Sequence, residues 1–305
     1  MTEKTVGTFE VTQCLLCGSD PGMHKHFETH LDEAGEVHYL LCERCGLVFQ
    51  SPRFTEQELN EFYSVQYRLT VQGSAEPTEK DLRIQHARAK NLLDFLKGNT
   101  ENISRCLDIG SSTGMLLKVL HAGYGCEVMG VEPGDAYREY GQREGIPAVG
   151  NLEQLDTAFE KSFDLITMAH TLEHLPEPLS YLKNLKQNWL NDSGYVLIEV
   201  PNLLGHTSFE LAHLTAYTKQ TLRAMLHQAG LEVIKIRAHG APRSLLIPLY
   251  ITALAVVRGP SSDSYVFQGR PGWIRVRRKI GMWWNRFATR FLTRWAWLPW
   301  PEMDG

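Results

Sequence analysis

The chain has 305 residues, of which 43% are hydrophobic and 22% are charged, as is usual for a globular protein. Its formal charge of −4 gives no general reason to expect a nucleic-acid partner. The first residues lack the basic start and apolar core of a signal peptide, and the longest apolar run, 245–257, is too short to span a bilayer. We therefore expect a cytoplasmic protein, for which peripheral contact with a membrane remains open.

Two Cys-x-x-Cys pairs predict a metal site near the start of the chain. Cys14 and Cys17 form the first pair, Cys42 and Cys45 the second, and a glycine follows each. Four thiolates make the closed tetrahedral site of a structural zinc ion, in a reducing compartment. The alternative, a pair of redox dithiols, lacks the strand-to-helix context of such motifs. The four histidines between the pairs are expected at the surface or in loops rather than on the metal.

Strand-like and helix-like segments alternate through the middle of the chain, which predicts βαβ units and a parallel sheet. A helix over 86–96 leads into this region. The predicted strands cover 106–109, 127–131, 148–149, 164–169, 195–200, 231–238 and 250–257, and the predicted helices cover 115–120, 136–143, 178–187 and 219–228. We expect a zinc module over 1–55, a linker or lid with the lead-in helix over 56–100, a cofactor-binding domain over 101–258 and a tail over 259–305.

A turn rich in glycine and serine follows the first of these strands, in the sequence Leu-Asp-Ile-Gly-Ser-Ser-Thr-Gly over 107–114. A strand, such a turn and a helix in succession are typical of a nucleotide-binding crevice. Asp108 could pair with an ammonium group but would be a poor neighbour for a pyrophosphate. Glu132, at the end of the next strand, could accept both hydroxyl groups of a ribose. The two acids favour S-adenosylmethionine over NAD, the alternative being a glycine-rich turn with incidental acids.

The chain resembles the class I S-adenosylmethionine-dependent methyltransferases, and more narrowly the group with an N-terminal zinc-binding module, many of which modify sugars and cell-surface glycans. The matching segments are 14–17, 41–53, 107–114, 130–133, 163–175, 194–202 and 213–233. The resemblance implies an α/β fold with a doubly wound, seven-stranded Rossmann-like sheet in the order 3-2-1-4-5-7-6, strand 7 being antiparallel. Ser112 departs from the pattern, because the wider superfamily usually has glycine there.

The resemblance also implies where the cofactor binds. The residues are Asp108, Gly110, Ser112 and Gly114 around the methionine end, Glu132 at the ribose, Asn151 and Leu152 beside the adenine, and His170 closing the pocket. Tyr63 and Tyr67 match a segment that often covers the cofactor, although they could instead pack between the zinc module and the main domain.

Methyl transfer is an in-line displacement at an activated sulfonium, so the protein has to align the acceptor and take its proton. The turn after the fourth strand carries His174, a suitable base near neutral pH, and Glu173, which could orient it. The resemblance supports this role for His174 and makes His213 a second candidate. Two alternatives remain from the spacing: a metal ion bound by His170 and His174, and a cap on the following helix made by His174.

The tail is rich in tryptophan and arginine. On a helical projection Arg275, Lys279, Arg286 and Arg290 lie on one side, and the opposite side carries Trp284, Phe287, Ala288, Phe291, Leu292 and Trp295. This pattern over 270–300 is typical of a helix lying in a membrane interface. The aromatic face could equally dock on the catalytic domain or on a second subunit of a homodimer. Nucleic acid is not expected, because the rest of the chain is acidic.

Three functions follow from these patterns. The first is O-methylation of a sugar hydroxyl, in a glycan or a nucleotide-linked sugar, as in polysaccharide biosynthesis. The second is C-methylation of a keto-sugar nucleotide, and the third is a zinc-containing binding module without activity. The short tail favours the first over the second, because the C-methylating members of the resembled group usually carry a longer C-terminal domain. Asp108 and Glu132 argue against the third.

Overall fold

The computed structural model describes residues 8–32, 35–54, 76–207, 209, 211–258 and 271–299. The strands are β1 (Thr8–Phe9), β2 (His24–Asp32), β3 (Gly35–Cys42), β4 (Val48–Gln50), β5 (Arg53–Phe54), β6 (Arg105–Ile109), β7 (Glu127–Val131), β8 (Ala148–Val149), β9 (Phe163–Ala169), β10 (Leu190–Pro201), β11 (Thr215–Ala216), β12 (Leu231–His239) and β13 (Tyr250–Val257). The α-helices are α1 (Glu79–Lys97), α2 (Met115–Tyr124), α3 (Asp135–Arg143), α4 (Pro178–Asn184), α5 (Lys219–Gln228), α6 (Gly272–Phe291) and α7 (Thr293–Ala296).

A seven-stranded sheet in the order β12-β13-β10-β9-β6-β7-β8 forms the centre of the protein. β13 is antiparallel to both of its neighbours, and the other neighbouring strands pair in parallel. Numbered along this sheet alone, the order is 3-2-1-4-5-7-6 with strand 7 antiparallel. The predicted Rossmann-like topology is therefore confirmed.

Helices cover both faces of this sheet because its central strands are apolar on both sides. In β9, Leu165 belongs to the apolar cluster that contains Leu92 of α1 and Leu117 of α2. Ile166 points to the opposite face, as the two-residue period of a strand requires, and packs in the cluster that contains Leu222 of α5. Because successive side chains of the strand point to opposite faces, helices pack on both sides of the sheet, which gives the doubly wound arrangement.

The predicted elements are confirmed, with differences at several ends. α1 starts seven residues before the predicted position, behind a capping box formed by Thr78 and Asp81. Its first turns are polar, so the hydrophobic period did not reveal them. α4 ends at Asn184 and passes into a π-helical turn over Leu185–Trp189. β10 begins at Leu190, where a register irregularity before Tyr195 accommodates a segment with the composition of a turn.

The N-terminal region forms a four-stranded sheet in the order β11-β4-β3-β2, which the sequence analysis did not predict. The signal was present in β3, where Val37, Tyr39 and Leu41 alternate along the strand and are all buried. The fourth strand, β11, comes from the segment between β10 and α5, with Thr215 opposite Phe49. The cysteine-bearing region and this later segment thus share one sheet.

Helix α6 docks on the protein through a face that overlaps the predicted aromatic one only in part, at Trp284 and Ala288. Its buried residues include Arg278 and Asn285. The Arg278 side chain forms a 2.9 Å ion pair with Glu28, and the Asn285 amide donates a 2.9 Å hydrogen bond to the Gly205 carbonyl oxygen. Of the six residues of the predicted aromatic face, Phe287, Phe291 and Trp295 are exposed, whereas Ala288 is buried and Trp284 packs beside it. Among the helices of the described residues, none combines the length and apolarity needed to cross a membrane.

Candidate functional site

Asp108 lies at the end of β6 and is 3% exposed. One of its carboxylate oxygens accepts a 2.7 Å hydrogen bond from the Thr167 hydroxyl on the neighbouring strand. Burial raises the pKa of Asp108 to about 7; the Thr167 hydrogen bond opposes this rise and the charge of Glu132 adds to it. A cation beside Asp108 would therefore be needed to hold it fully ionised near neutral pH.

The loop after Asp108 makes two turns that only glycine fits. Gly110 and Gly114 both have φ of +75°, in the left-handed region. A Cβ atom on Gly110 would lie 2.4 Å from the Thr171 hydroxyl oxygen, and one on Gly114 would lie 2.9 Å from Ile146. Ser112 also has positive φ, at +51°, and so occupies a conformation that glycine would adopt without strain.

Glu132 lies at the end of β7, and the surrounding backbone fixes its carboxylate. One oxygen accepts a 2.9 Å hydrogen bond from the Ser112 amide, and the other accepts a 2.7 Å bond from the Gly134 amide. A carboxylate oxygen can accept a second hydrogen bond, so both remain able to receive ribose hydroxyls. The carboxylate is thus oriented towards the glycine loop in advance of any ligand.

The residues expected beside the adenine follow β8 at the same edge of the sheet. The Asn151 side chain accepts a 3.1 Å hydrogen bond from the Gln154 amide and caps the short 3₁₀ helix Leu152–Gln154. Leu152 is half-buried against the main apolar cluster. The structure therefore brings both residues to the strand end next to Glu132, whose amide binds the Val149 carbonyl oxygen at 2.9 Å.

His170 follows β9 with φ of +57° and lies between two buried carboxylates. Its Nδ1 is 3.3 Å from a Glu173 oxygen, and its Nε2 is 3.5 Å from a Glu199 oxygen. Burial and the charge of Arg88 lower the pKa of His170, but the two carboxylates outweigh them and the net shift is upward. His170 therefore lies between two acids that favour its protonated form, in addition to any contact with the cofactor.

Sequence reasoning missed Glu199, which is the centre of a buried polar cluster at the end of β10. Its carboxylate lies 3.2 Å from Arg88 and 3.3 Å from His239, and it accepts a 3.0 Å hydrogen bond from the Thr252 hydroxyl. Burial acts to raise the pKa of Glu199, but hydrogen bonds from His170 and His239 and the charge of Arg88 hold it well below its usual range. The available signal was an acid inside the apolar run 196–200.

The structure brings together the three residues predicted for the chemistry. Glu173 and His174 lie in the 3₁₀ turn Leu172–His174, and His213 lies in the segment before β11. The Glu173 carboxylate is 3.9 Å from His174 Nε2, and the rings of His174 and His213 are 5.0 Å apart between centroids. One ligand atom from each of the three residues lies within 4.8 Å of the others, close enough to share a cation.

The charges in this cluster are set by burial and by one another. Burial acts to raise the pKa of Glu173, but His170, His174 and His213 together lower it to about 2. Burial and the neighbouring His174 lower the pKa of His213 to about 3, against the opposing charge of Glu173. At neutral pH, Glu173 is thus a carboxylate and His213 a neutral imidazole.

The structure does not show the two alternative roles considered for His174, which were binding a metal ion together with His170 and capping the following helix. His170 and His174 do not form a metal-binding pair, because both nitrogens of His170 face carboxylates. His174 does not cap α4, whose first turn has no side-chain cap. Instead its Nδ1 donates a 2.8 Å hydrogen bond to the Ala212 carbonyl oxygen. In the neutral ring this leaves Nε2 as the nitrogen that can accept a proton.

The four paired cysteines converge as predicted. The Cys14 and Cys45 sulfurs are 3.5 Å apart, and those of Cys17 and Cys42 are 3.6 Å apart. Four sulfurs arranged tetrahedrally around zinc at about 2.3 Å would be separated by about 3.8 Å. The thiolate set, its closed geometry and the turns at Gly18 and Gly46, both with positive φ, fit a structural zinc ion.

Tyr63 and Tyr67, considered as a cover for the cofactor, lie outside the described residues. The turn that carries Glu173 has a further anchor from the N-terminal region. Arg53, which is buried, donates a 2.9 Å hydrogen bond to the Pro176 carbonyl oxygen and forms a 3.3 Å ion pair with Glu177. The N-terminal region therefore holds the segment after this turn through β5, which pairs with β1 outside the four-stranded sheet.

Residues 82–236 match a family model described as a methyltransferase domain. The chain belongs to this family, and with the sheet described above it is a class I S-adenosylmethionine-dependent methyltransferase. It is therefore an enzyme, and a binding module without activity is not favoured. No curated protein matches the chain.

Solved structures resemble the fold. The 1,6-didemethyltoxoflavin-N1-methyltransferase of Burkholderia thailandensis, solved with 1,6-didemethyltoxoflavin and S-adenosylhomocysteine, has a TM-score of 0.51 and 17% identity over 76% of this chain and all (100%) of its own. A methyltransferase of Aquifex aeolicus has a TM-score of 0.46 and 17% identity over 67% of this chain and 100% of its own. A methyltransferase of Archaeoglobus fulgidus has a TM-score of 0.47 and 20% identity over 62% of this chain and 97% of its own. At these sequence identities a solved structure bears on the fold and on nothing further. Of the three, the Burkholderia structure, with its TM-score of 0.51, supports the fold.

Proposed function

We propose that the protein transfers the methyl group of S-adenosylmethionine to a hydroxyl group of a sugar, in a glycan or a nucleotide-linked sugar. The observation that carries this proposal is the cluster of Glu173, His174 and His213 at the same edge of the sheet as Asp108 and Glu132. A hydroxyl acceptor has to lose a proton during transfer, and this cluster provides imidazoles backed by a buried carboxylate.

The cofactor would bind across the ends of β6, β7 and β8. Asp108 would pair with its ammonium group, Glu132 would accept its ribose hydroxyls, and Asn151 and Leu152 would flank its adenine. Gly110, Ser112 and Gly114 would line the methionine end, and His170 would close the pocket beside it. When bound, the cofactor supplies a methyl group on a sulfonium that needs no further activation.

His174 is the base in this proposal. Its Nε2 would take the proton of the acceptor hydroxyl, whose oxygen would receive the methyl group that the bound cofactor supplies. Glu173, at 3.9 Å, stabilises the resulting imidazolium. His213 is more buried and is neutral, so it would serve as a second base or as a hydrogen-bonding partner of the acceptor.

The N-terminal region would hold one structural zinc ion on Cys14, Cys17, Cys42 and Cys45. We also propose the domain limits expected from the sequence: the zinc module over 1–55, the linker and lead-in helix over 56–100, the cofactor-binding domain over 101–258 and the tail over 259–305. The closed set of four thiolates leaves no position for substrate, so the metal would act through structure alone.

Transfer of a labelled methyl group to a panel of sugar nucleotides and glycans tests the proposal. Carbon NMR of the product should show a methoxyl signal; a methyl group attached to carbon would instead establish C-methylation and contradict the proposal.

His174→Ala should lower kcat about 10²–10⁴-fold, which is the usual contribution of a positioned base. His26→Ala, an exposed histidine of β2, is the matched control. If His174→Ala and His213→Ala both keep full turnover and normal cofactor affinity, the base assignment is wrong.

A further inference from the structure

The outer face of α6 and α7 carries the largest concentration of exposed apolar side chains in the described residues. Seven of the twelve large apolar side chains that are exposed lie between positions 273 and 295. They are Trp273, Val276, Ile280, Trp283, Phe287, Phe291 and Trp295. In α6 they recur every three or four residues, the spacing of one helical face. We call this set the outer stripe.

The outer stripe is continuous and is distinct from the face that docks. The Trp283 and Phe287 rings stack at 5.6 Å between centroids, and Phe287 and Phe291 follow at 5.1 Å. Trp283 is 63% exposed and Phe291 is 64% exposed. Arg278 and Asn285, by contrast, are buried against the protein. Docking therefore uses Arg278 and Asn285 together with Ile274, Trp284 and Ala288, and the side chains of the outer stripe are left outside.

Cations run along the flank of the outer stripe. Lys279, Arg286 and Arg290 are all exposed and lie seven and four residues apart, so they form a line along one side of α6. Arg294 adds a further exposed cation in α7. The segment 271–299 contains no acidic residue, although the whole chain has a formal charge of −4. The positive charge is therefore local to the helix that carries the stripe.

We propose that this outer face binds the surface of an anionic lipid bilayer. Tryptophan and phenylalanine side chains would enter the boundary between headgroups and acyl chains, while the flanking cations would contact anionic headgroups. The helix would lie in the plane of the interface and would not span it. A second copy of the chain is a less suitable partner for this face. The segment 271–299 contains no acidic residue that could pair with the cations on the α6 helix of that copy.

The position of α6 gives this binding a consequence for the site. Ala288 packs in the same buried cluster as Tyr250, and the Tyr250 ring lies 5.2 Å from the His170 ring between centroids. The Arg278 guanidinium also donates a hydrogen bond to the Leu203 carbonyl oxygen, just after β10. A bilayer on the outer face would thus lie near the edge of the sheet where the reaction takes place. If the proposed function holds, this arrangement suits an acceptor sugar attached to a lipid; binding to the bilayer does not depend on that function.

Flotation of the full chain with vesicles tests the proposal. Vesicles of phosphatidylcholine mixed with phosphatidylglycerol should carry the protein, and vesicles of phosphatidylcholine alone should carry much less. The triple variant Trp273→Ser, Trp283→Ser, Phe291→Ser should bind at least tenfold more weakly. The triple variant Lys279→Gln, Arg286→Gln, Arg290→Gln should lose about a hundredfold on the anionic vesicles alone. Leu31→Ser combined with Ile234→Ser, which removes exposed apolar side chains elsewhere, is the matched control.

Point variants are preferable to deletion of the tail, because the inner face of α6 covers apolar residues such as Ile247 and Leu249. Thermal unfolding and binding of S-adenosylmethionine should be unchanged in all variants. Brominated lipids should quench the tryptophan fluorescence of the wild type and leave that of the aromatic variant largely unquenched. Equal flotation of the wild type and both triple variants, or no flotation of the wild type, would overturn the proposal. So would dimerisation without lipid that the aromatic variant abolishes, since a second copy would then cover this face.

Discussion

The Tyr39 hydroxyl, in the N-terminal sheet, donates a 2.7 Å hydrogen bond to the carbonyl oxygen of His213 in the candidate site. Tyr39 is completely buried, and the segment after His213 is held in the same way, because the Gln50 amide donates a 2.9 Å bond to the Leu214 carbonyl oxygen. His213 is thus positioned from two sides. The N-terminal sheet holds its backbone, and His174 holds the neighbouring Ala212 carbonyl oxygen.

Replacement of Tyr39 by Phe should weaken this positioning without disturbing the cofactor. The loss of one buried hydrogen bond should lower the free energy of unfolding by about 1–2 kcal/mol. The kcat should fall while the Kd for S-adenosylmethionine stays unchanged, because the carbonyl oxygen that Tyr39 binds belongs to His213 and not to a residue proposed to hold the cofactor. Steady-state kinetics and calorimetry would measure both effects. Tyr195→Phe, in the first half of β10 away from the site, is the control; a Tyr39→Phe enzyme with the kcat of that control would show that the bond does not position His213.

Loss of the metal should affect the same segment. We expect one zinc ion per chain by elemental analysis, and Cys14→Ser with Cys17→Ser should abolish it. Because β4 pairs with β11, unfolding of the cysteine-bearing region should lower Tm and turnover together. Cys126→Ala, which removes a buried thiol outside the cluster, should retain the metal. Metal-free protein with unchanged Tm and activity would argue against a structural role.

The strands of the central sheet could be predicted from local patterns, whereas their order was implied by the resemblance to class I methyltransferases. The predicted limits of β7, β8, β13 and α5 agree with the structure, since apolar periods and turn residues mark them. The glycine loop at Asp108 and the carboxylate of Glu132 could be placed because both follow strands at one edge of a parallel sheet.

The contacts that complete the site could not be predicted, because they join residues far apart in the chain. Arg88 reaches Glu199 from a helix whose polar face gives no sign of a buried partner. The bond from Tyr39 to His213 likewise depends on a shared sheet of which β11 supplies only two residues. The helical projection of α6 also left open which face docks, and it did not indicate buried Arg278 and Asn285, whose partners amphipathicity does not reveal.

Affinity for the cofactor should depend on pH through Asp108. In the free enzyme the pKa of this carboxyl is about 7, raised chiefly by burial, and only the ionised form pairs with the ammonium group. The carboxyl takes up a proton as pH falls through this value, so the Kd for S-adenosylmethionine should be about fivefold higher at pH 6 than at pH 7. Calorimetry at the two pH values measures the ratio. Asp108→Asn should bind more weakly at both and should lose the dependence; a variant that retains it would assign the titration to another group.

Replacement of His170 by Gln should destabilise the protein, because Glu173 and Glu199 would lose the basic side chain that lies between them. Breaking a buried ion pair costs about 3–5 kcal/mol, and urea unfolding at pH 7 should show a loss of that order. The pH dependence should also change. The pKa of Glu173 is lowered to about 2 in the folded protein, so its stabilising contribution is present above pH 4.5 and is lost as pH falls towards 2. Without His170 this pKa should rise, and stability should fall less steeply between pH 5 and pH 3. His121→Gln, whose ring hydrogen-bonds the Cys126 backbone, is the control; equal acid sensitivity of the two variants would show that His170 does not set the charge of Glu173.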